Sequence, residues 1–103
     1  MKNKGCKECP WVIESNNNRI RFNLIQQNTI GIHAIASFSN NITHNSFVNN
    51  TEEGVYLSGS SNFLVHHNGF FFNNFGESSQ ARDDGQENQW FDSIALEGNY
   101  WND

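Results

Sequence analysis

The ten residues Asn41–Asn50 read NITHNSFVNN and contain a spacing that recurs along the chain. An Asn is followed by an aromatic or aliphatic residue two places later and by a second Asn three places after that. The phrase returns as NGFFFN from Asn68, 23 residues after Asn45, and it occurs as NLIQQN from Asn23, 22 residues before it. A period in the low twenties that appears three times indicates a repeat protein in which each copy forms one structural unit.

Alignment on this phrase gives three copies, Pro10–Asn28, Ile32–Asn50 and Val55–Asn73, followed by a degenerate fourth. Gly31 and Gly54 open the second and third copies. Apolar and Asn residues both fall into columns. The apolar columns are Ile20, Ile42 and Val65, and Ile25, Phe47 and Phe70; the Asn columns are Asn23, Asn45 and Asn68, and Asn28, Asn50 and Asn73.

A period of 22–23 residues is too short for a pair of helices, and its short alternating apolar runs are typical of strands. The sequence therefore predicts an all-β fold, a right-handed parallel β-helix of about four coils. In such a solenoid, apolar columns fill the interior, while Asn columns stack into ladders at turns because Asn tolerates left-handed backbone angles. We expect residues 1–9 to form a flexible lead-in and residues 10–103 the β-helix, with a loop near 75–79 and a capping last coil over 80–103.

Charge and hydropathy exclude several classes of partner. The net charge is −5, and all three lysines lie within the first seven residues, which argues against a nucleic-acid-binding surface. No apolar run reaches the roughly 18 residues of a membrane-spanning helix. The N-terminal residues of this chain also lack the apolar stretch of a signal peptide.

The fourth copy carries the most specific phrases, Asn88-Gln89-Trp90 and Gly98-Asn99-Tyr100-Trp101-Asn102-Asp103. These resemble the terminal coil of NosD-type β-helices, which belong to the carbohydrate-binding and sugar-hydrolase (CASH) group of parallel β-helix repeats, a pectin lyase-like architecture. The resemblance extends over Pro10–Asp103. It implies an extracellular or periplasmic location, and it makes both carbohydrate binding and copper handling worth testing.

One external column is a candidate carbohydrate-binding site. Alternation along the strand after each Gly turns His33 and Tyr56 outward, in a column with Trp11 and Arg82, and Asp84 lies beside Arg82. Exposed rings flanked by carboxylates and amides suit sugar faces. The alternative is an ordinary surface ladder. On this basis the main functional prediction is a non-catalytic module that binds carbohydrate, or a protein partner, on its lateral face.

A second column contains imidazoles and is a weak candidate metal site. His44 and His67 follow Phe22 in the alignment, and His66 is adjacent to His67. Imidazoles stacked one coil apart could share a metal, and the resemblance makes copper the metal to consider. The alternative is solvated turn histidines, and no other cofactor is expected.

The single pair Cys6-Lys7-Glu8-Cys9 is half of a zinc ligand set. It leaves three alternatives open: a disulfide, a site completed by another chain, or a reduced lead-in.

No catalytic constellation is predicted. Asp83-Asp84 follows Arg82, and Glu52-Glu53 precedes a turn glycine. The alignment puts Asp83 in an inward column and Asp84 outward, so the two carboxylates would not reach one substrate atom. A fragment of a polysaccharide-active lyase, epimerase or hydrolase remains the enzymatic alternative.

The two ends of the solenoid differ in sequence. Large rings, Trp90, Tyr100 and Trp101, could close the last coil, and Asp92, Glu97 and Asp103 would discourage another chain from docking there. The first coil has no comparable cover. Because open strand edges promote association, we expect either self-association through the N-terminal coil or further coils in a longer parent chain.

Overall fold

Short strands that pair in parallel are the regular secondary structure of the described residues. The computed structural model describes residues 2–4, 11–74 and 79–102, and the surroundings of side chains at 14–74 and 79–102. Every element in these ranges is a strand, and all nine strand pairings are parallel. The all-β, right-handed parallel β-helix is confirmed. Within the same ranges, no helix has the length and apolarity needed to cross a membrane.

Each coil contributes one strand to each of three sheets, except in the last coil. In chain order the strands are β1 (Lys2–Lys4), β2 (Trp11–Ile13), β3 (Arg19–Arg21), β4 (Leu24–Gln26), β5 (Ile32–Ile35), β6 (Asn41–Thr43), β7 (Ser46–Val48), β8 (Val55–Ser61), β9 (Leu64–His66), β10 (Gly69–Phe71), β11 (Ala81–Gln86) and β12 (Tyr100–Asn102). The sheets have the orders β1-β4-β7-β10-β12, β11-β8-β5-β2 and β3-β6-β9. In the last coil, a single bridge from Gln89 to Leu64 extends the third sheet.

Part of the segment interpreted as a lead-in belongs to the solenoid. Lys2–Lys4 forms β1, which pairs in parallel with β4, where the sequence had predicted a flexible segment over residues 1–9. A polar strand of three residues carries no periodicity that sequence reading could detect. Cys6 and Cys9 lie outside the described residues, and so do residues 75–78 of the predicted loop.

The predicted apolar columns fill the interior. The rings of Phe47 and Phe70 stack with centroids 4.9 Å apart, and Trp101 continues the column at 4.3 Å from Phe70. Gly54 lies against this column, where an added Cβ would come within 3.0 Å of the Phe47 Cβ. The fully buried apolar residues are Ile25, Ile32, Ala34, Ile42, Phe47, Val55, Leu57, Phe63, Val65 and Phe70.

Most corners of the described coils are built from a left-handed residue followed by a polar one that faces the interior, whereas left-handed Asn62 is followed by the buried Phe63. His44, for example, has φ 57° and precedes Asn45, whose side chain is 2% exposed. The Asn45 Nδ2 donates to Asn68 Oδ1 at 3.1 Å, and its own Oδ1 accepts from Asn23 Nδ2 at 3.1 Å. These contacts are the predicted ladder.

The last coil ends the ladders of the third coil. Asn99 Oδ1 accepts from the backbone N–H of Asn68, and Gln80 Oε1 accepts from that of Asn73. Asn88 Oδ1 accepts in the same way from the N–H of Phe63. The terminal phrases containing Asn88 and Asn99 therefore have a structural explanation, because each supplies the acceptor that a further coil would otherwise provide.

Candidate metal centre

Two adjacent histidines converge at a corner of the third coil. His66 ends β9, and His67 takes the left-handed corner conformation with φ 57°. This change of chain direction turns the two rings to 72° from each other, and their Nδ1 atoms lie 2.6 Å apart. In an extended strand, neighbouring side chains would point to opposite faces.

A turn in the last coil brings two carboxylates to this pair. Asp92 and Glu97 form an antiparallel bridge that closes the turn. Asp92 offers a carboxylate oxygen that lies within 4.8 Å of a ring nitrogen of both His66 and His67. On the other side, Glu97 Oε2 lies 3.0 Å from His67 Nε2. The site therefore combines two imidazoles with an acid at each end of one turn.

The surroundings of His66 and Asp92 favour the forms of these two side chains that bind cations. Burial lowers the pKa of His66, the neighbouring imidazoles of His67 and His44 lower it further, and Asp92 opposes the shift. The backbone N–H groups of Ala95 and Ile94 lower the pKa of Asp92 by donating to its carboxylate. A neutral imidazole and an ionised carboxylate are both metal ligands.

Water can reach the site from two surface grooves. One groove, of about 240 Å³, is lined by His66 and Asp92 together with residues of the turn. The other, of about 500 Å³, is lined by His44, His67, Glu97 and neighbouring backbone. His66 thus lines one groove and its neighbour His67 the other, and an ion could enter without opening the core.

His44 does not converge with the other imidazoles. Its ring stacks on that of His67 with centroids 5.0 Å apart and an interplanar angle of 10°, and Phe22 packs on its other side at 5.3 Å. Nitrogen lone pairs lie in the ring plane, so two parallel rings direct theirs into parallel planes. The stacking therefore does not support a metal shared between His44 and His67, which stays a prediction, whereas the donor atoms of the adjacent pair His66 and His67 converge with Asp92.

The external column of the second sheet has the predicted strand register, and both faces of its Tyr56 ring are covered. Strand register aligns Trp11, His33, Tyr56 and Arg82. His33 stacks on Tyr56 at 4.8 Å and 11°, and the Arg82 guanidinium lies 4.8 Å from the Tyr56 ring centre. The Tyr56 hydroxyl donates to Asp84, which also pairs with Arg82. Tyr56 therefore has a cationic group on one face and an imidazole on the other, and binding of a sugar to this column stays a prediction.

Asp83 and Asp84 serve different partners. Asp83 shares the register of the buried Leu57, yet it is exposed, because no further described coil covers the open side of β11. Its carboxylate accepts hydrogen bonds from Asn88 Nδ2 and Trp90 Nε1. The predicted inward column of Asp83 is therefore confirmed by the strand register, although the side chain is not buried, and Asp84 has different partners.

The rings expected to close the last coil do so only in part. Trp101 packs on Phe70 but is 47% exposed, whereas Tyr100 is 61% exposed and lies beside Phe71 on the outer surface. Asp92 and Glu97, interpreted from the sequence as charges that repel other chains, face the histidine pair instead.

Comparison with known proteins identifies one family. The family model described as "Periplasmic copper-binding protein (NosD)" matches residues 3–103. No curated protein and no solved structure matches the chain.

Proposed function

Because the chain belongs to the NosD family, we propose that it binds copper in the periplasm and that His66, His67 and Asp92 hold the ion. The observation that carries this proposal is the convergence of two imidazole nitrogens and a carboxylate at one corner of the solenoid. Copper binding is the property named for the family, and this corner offers a ligand set for it.

The donor spacing fits one bound ion. Two nitrogens bound at right angles to a metal, each about 2.0–2.1 Å away as in zinc sites, lie about 2.9 Å apart. The Nδ1 atoms of His66 and His67 are 2.6 Å apart, so a small opening of the pair would seat the ion.

The chemistry of the ligands favours the cupric ion. Imidazole and carboxylate are nitrogen and oxygen donors that suit Cu(II), whereas Cu(I) prefers thiolate and thioether sulfur. Asp92 would also supply negative charge, and its Oδ1 is fixed by the N–H groups of Ile94 and Ala95 at 3.0 and 3.2 Å. Its Oδ2 is then the oxygen available to the ion. Bound copper would supply a charged centre at the surface, and the chain's own residues orient it.

Titration with Cu(II) tests the proposal. The metal-free protein would carry Cys6→Ser and Cys9→Ser, so that thiols neither bind nor reduce the ion. Calorimetry should report stoichiometric binding. Electron paramagnetic resonance should show that the bound Cu(II) has nitrogen ligands. His66→Ala and Asp92→Asn should each weaken binding by about tenfold or more.

The matched control is His33→Ala, which removes an imidazole from a different sheet. It should leave copper affinity unchanged. The proposal fails if the starting protein binds no copper, or if His33→Ala weakens binding as much as His66→Ala does.

A further inference from the structure

We propose that Glu97 is a positioning residue of this site. It determines which ring nitrogen carries the hydrogen in His67 and, through His67, in His66. The inference rests on the copper function proposed above. Glu97 lies at the end of the turn opposite to Asp92 and does not join the cluster of converging donors. Besides the attraction of its charge, Glu97 can therefore influence an ion through the ring that it contacts.

The first step concerns His67. Glu97 Oε2 lies 3.0 Å from His67 Nε2, and an ionised carboxylate can only accept hydrogen bonds. The hydrogen of the neutral ring must therefore be on Nε2. This leaves a lone pair on Nδ1 of His67, which is the nitrogen directed at His66.

The second step extends the same polarity to His66. Its Nδ1 lies 2.6 Å from the Nδ1 of His67, which is a hydrogen-bond distance. Since the His67 nitrogen accepts, the His66 nitrogen must donate. One carboxylate thus determines the tautomer of two successive rings, with the hydrogen of His66 lying between the two nitrogens.

The position of that hydrogen is compatible with the proposed site. It lies between the two nitrogens that would hold the ion, and its hydrogen bond keeps them close together. For His66 Nδ1 to bind an ion, this hydrogen would have to leave as a proton to solvent, and His66 Nε2 would take one proton from solvent. The ring would stay neutral and the two transfers would balance.

The turn links this effect to the ligand Asp92. Backbone hydrogen bonds between Asp92 and Glu97, at 2.7 and 3.3 Å, hold the two ends of the turn together. One end therefore provides a ligand, while the other end orients the nitrogen ligands. Such carboxylate–histidine–metal arrangements raise the basicity of the ligand and fix its direction.

Replacement of Glu97 should leave the fold intact, which makes the test clean. The Glu97 side chain is 63% exposed, and exposed ion pairs contribute little to stability. Glu97→Ala removes the acceptor, whereas Glu97→Gln keeps an oxygen that can accept from His67 Nε2. Glu52→Ala, at an exposed turn on another part of the solenoid, is the matched control.

The direct readout is long-range ¹H–¹⁵N correlation spectroscopy of the metal-free protein, at a pH where both rings are neutral. We expect His67 with hydrogen on Nε2 and His66 with hydrogen on Nδ1. Glu97→Ala should give mixed tautomers and a loss of about tenfold or more in Cu(II) affinity. Glu97→Gln and Glu52→Ala should retain both properties.

The outcomes separate the two proposals. Hydrogen on Nδ1 of His67 in the starting protein, or unchanged tautomers in Glu97→Ala, would overturn the role of Glu97 even if copper binds. Expected tautomers without any copper binding would uphold the orientation by Glu97 and overturn the copper function.

Discussion

Replacement of Asn45 by Ala should destabilise the protein strongly, because this side chain makes five hydrogen bonds within the ladder. Its Oδ1 accepts from the backbone N–H and the side-chain amide of Asn23. The two hydrogens of its Nδ2 are shared among Ile20 O, Thr43 O and Asn68 Oδ1, at 2.8–3.1 Å. Alanine makes none of these bonds, so only the bonds of the backbone N–H and C=O groups still connect these corners.

The expected loss follows from these contacts. A buried group left without a partner costs about 1–3 kcal/mol, and a satisfied bond contributes about 0.5–1.5 kcal/mol net. The N–H of Asn23 loses its acceptor, but Asn23 is only half-buried, so water offsets part of the loss. We expect the free energy of unfolding to fall by about 2–4 kcal/mol, a large share of the roughly 5–15 kcal/mol typical of a domain.

The assay is denaturant unfolding followed by circular dichroism, with Asn41→Ala as the matched control. Asn41 lies on strand β6 with its side chain half-buried and directed away from the core. Asn49 is more exposed than Asn41 but is unsuitable as the control, because its φ of 53° would make Ala strained there. If Asn45→Ala and Asn41→Ala lower stability equally, the ladder does not stabilise the fold as argued.

Three further predictions concern packing, association and the aromatic column. Gly31→Ala should lower the melting temperature, because its Cβ would lie 2.3 Å from Gly54 O. The control Gly98→Ala should be tolerated, because its Cβ would meet nothing closer than 3.4 Å. Equal melting temperatures of the two variants would contradict this argument. Light scattering over a dilution series should show self-association through the first coil, lost in a folded Ile20→Lys variant, and a monomer at every concentration would refute it. In gels that contain polysaccharide we expect little retardation, since both faces of Tyr56 are covered; retardation that Tyr56→Ala abolishes would support the predicted carbohydrate site.

The coil architecture was predictable because the repeat occurs three times in the sequence. Each apolar or Asn column is confirmed by several copies, so one substitution, such as Phe63 where earlier coils have Asn18 and Asn40, does not obscure the period. Packing of identical units also fixes the register. The ladder terminators Asn88 and Asn99 follow Phe63 and Asn68 by 25 and 31 residues, so the period of 22–23 residues alone does not locate them.

The candidate metal centre was predictable only in part, because its acids belong to an insertion. Equivalent corner residues are five positions apart in the first three coils, as in Phe63 to Asn68, but 11 apart between Asn88 and Asn99. The six additional residues form the turn with Asp92 and Glu97. No repeat constrains such a segment, so its position over the histidines depends on tertiary contacts that periodicity does not encode.

The direction of the ladders limits how the length of such a protein can change during evolution. Each Asn amide donates to the Oδ1 of the next coil, from Asn23 to Asn45, Asn68 and finally Asn99. Duplication of one whole unit, such as residues 32–54, would give every new Asn the same neighbours on both sides. An addition of any other length would misalign all ladders at once unless it projects from a corner. Evolutionary length changes should therefore come either as whole coils or as corner insertions, and new binding chemistry would arise by the second route.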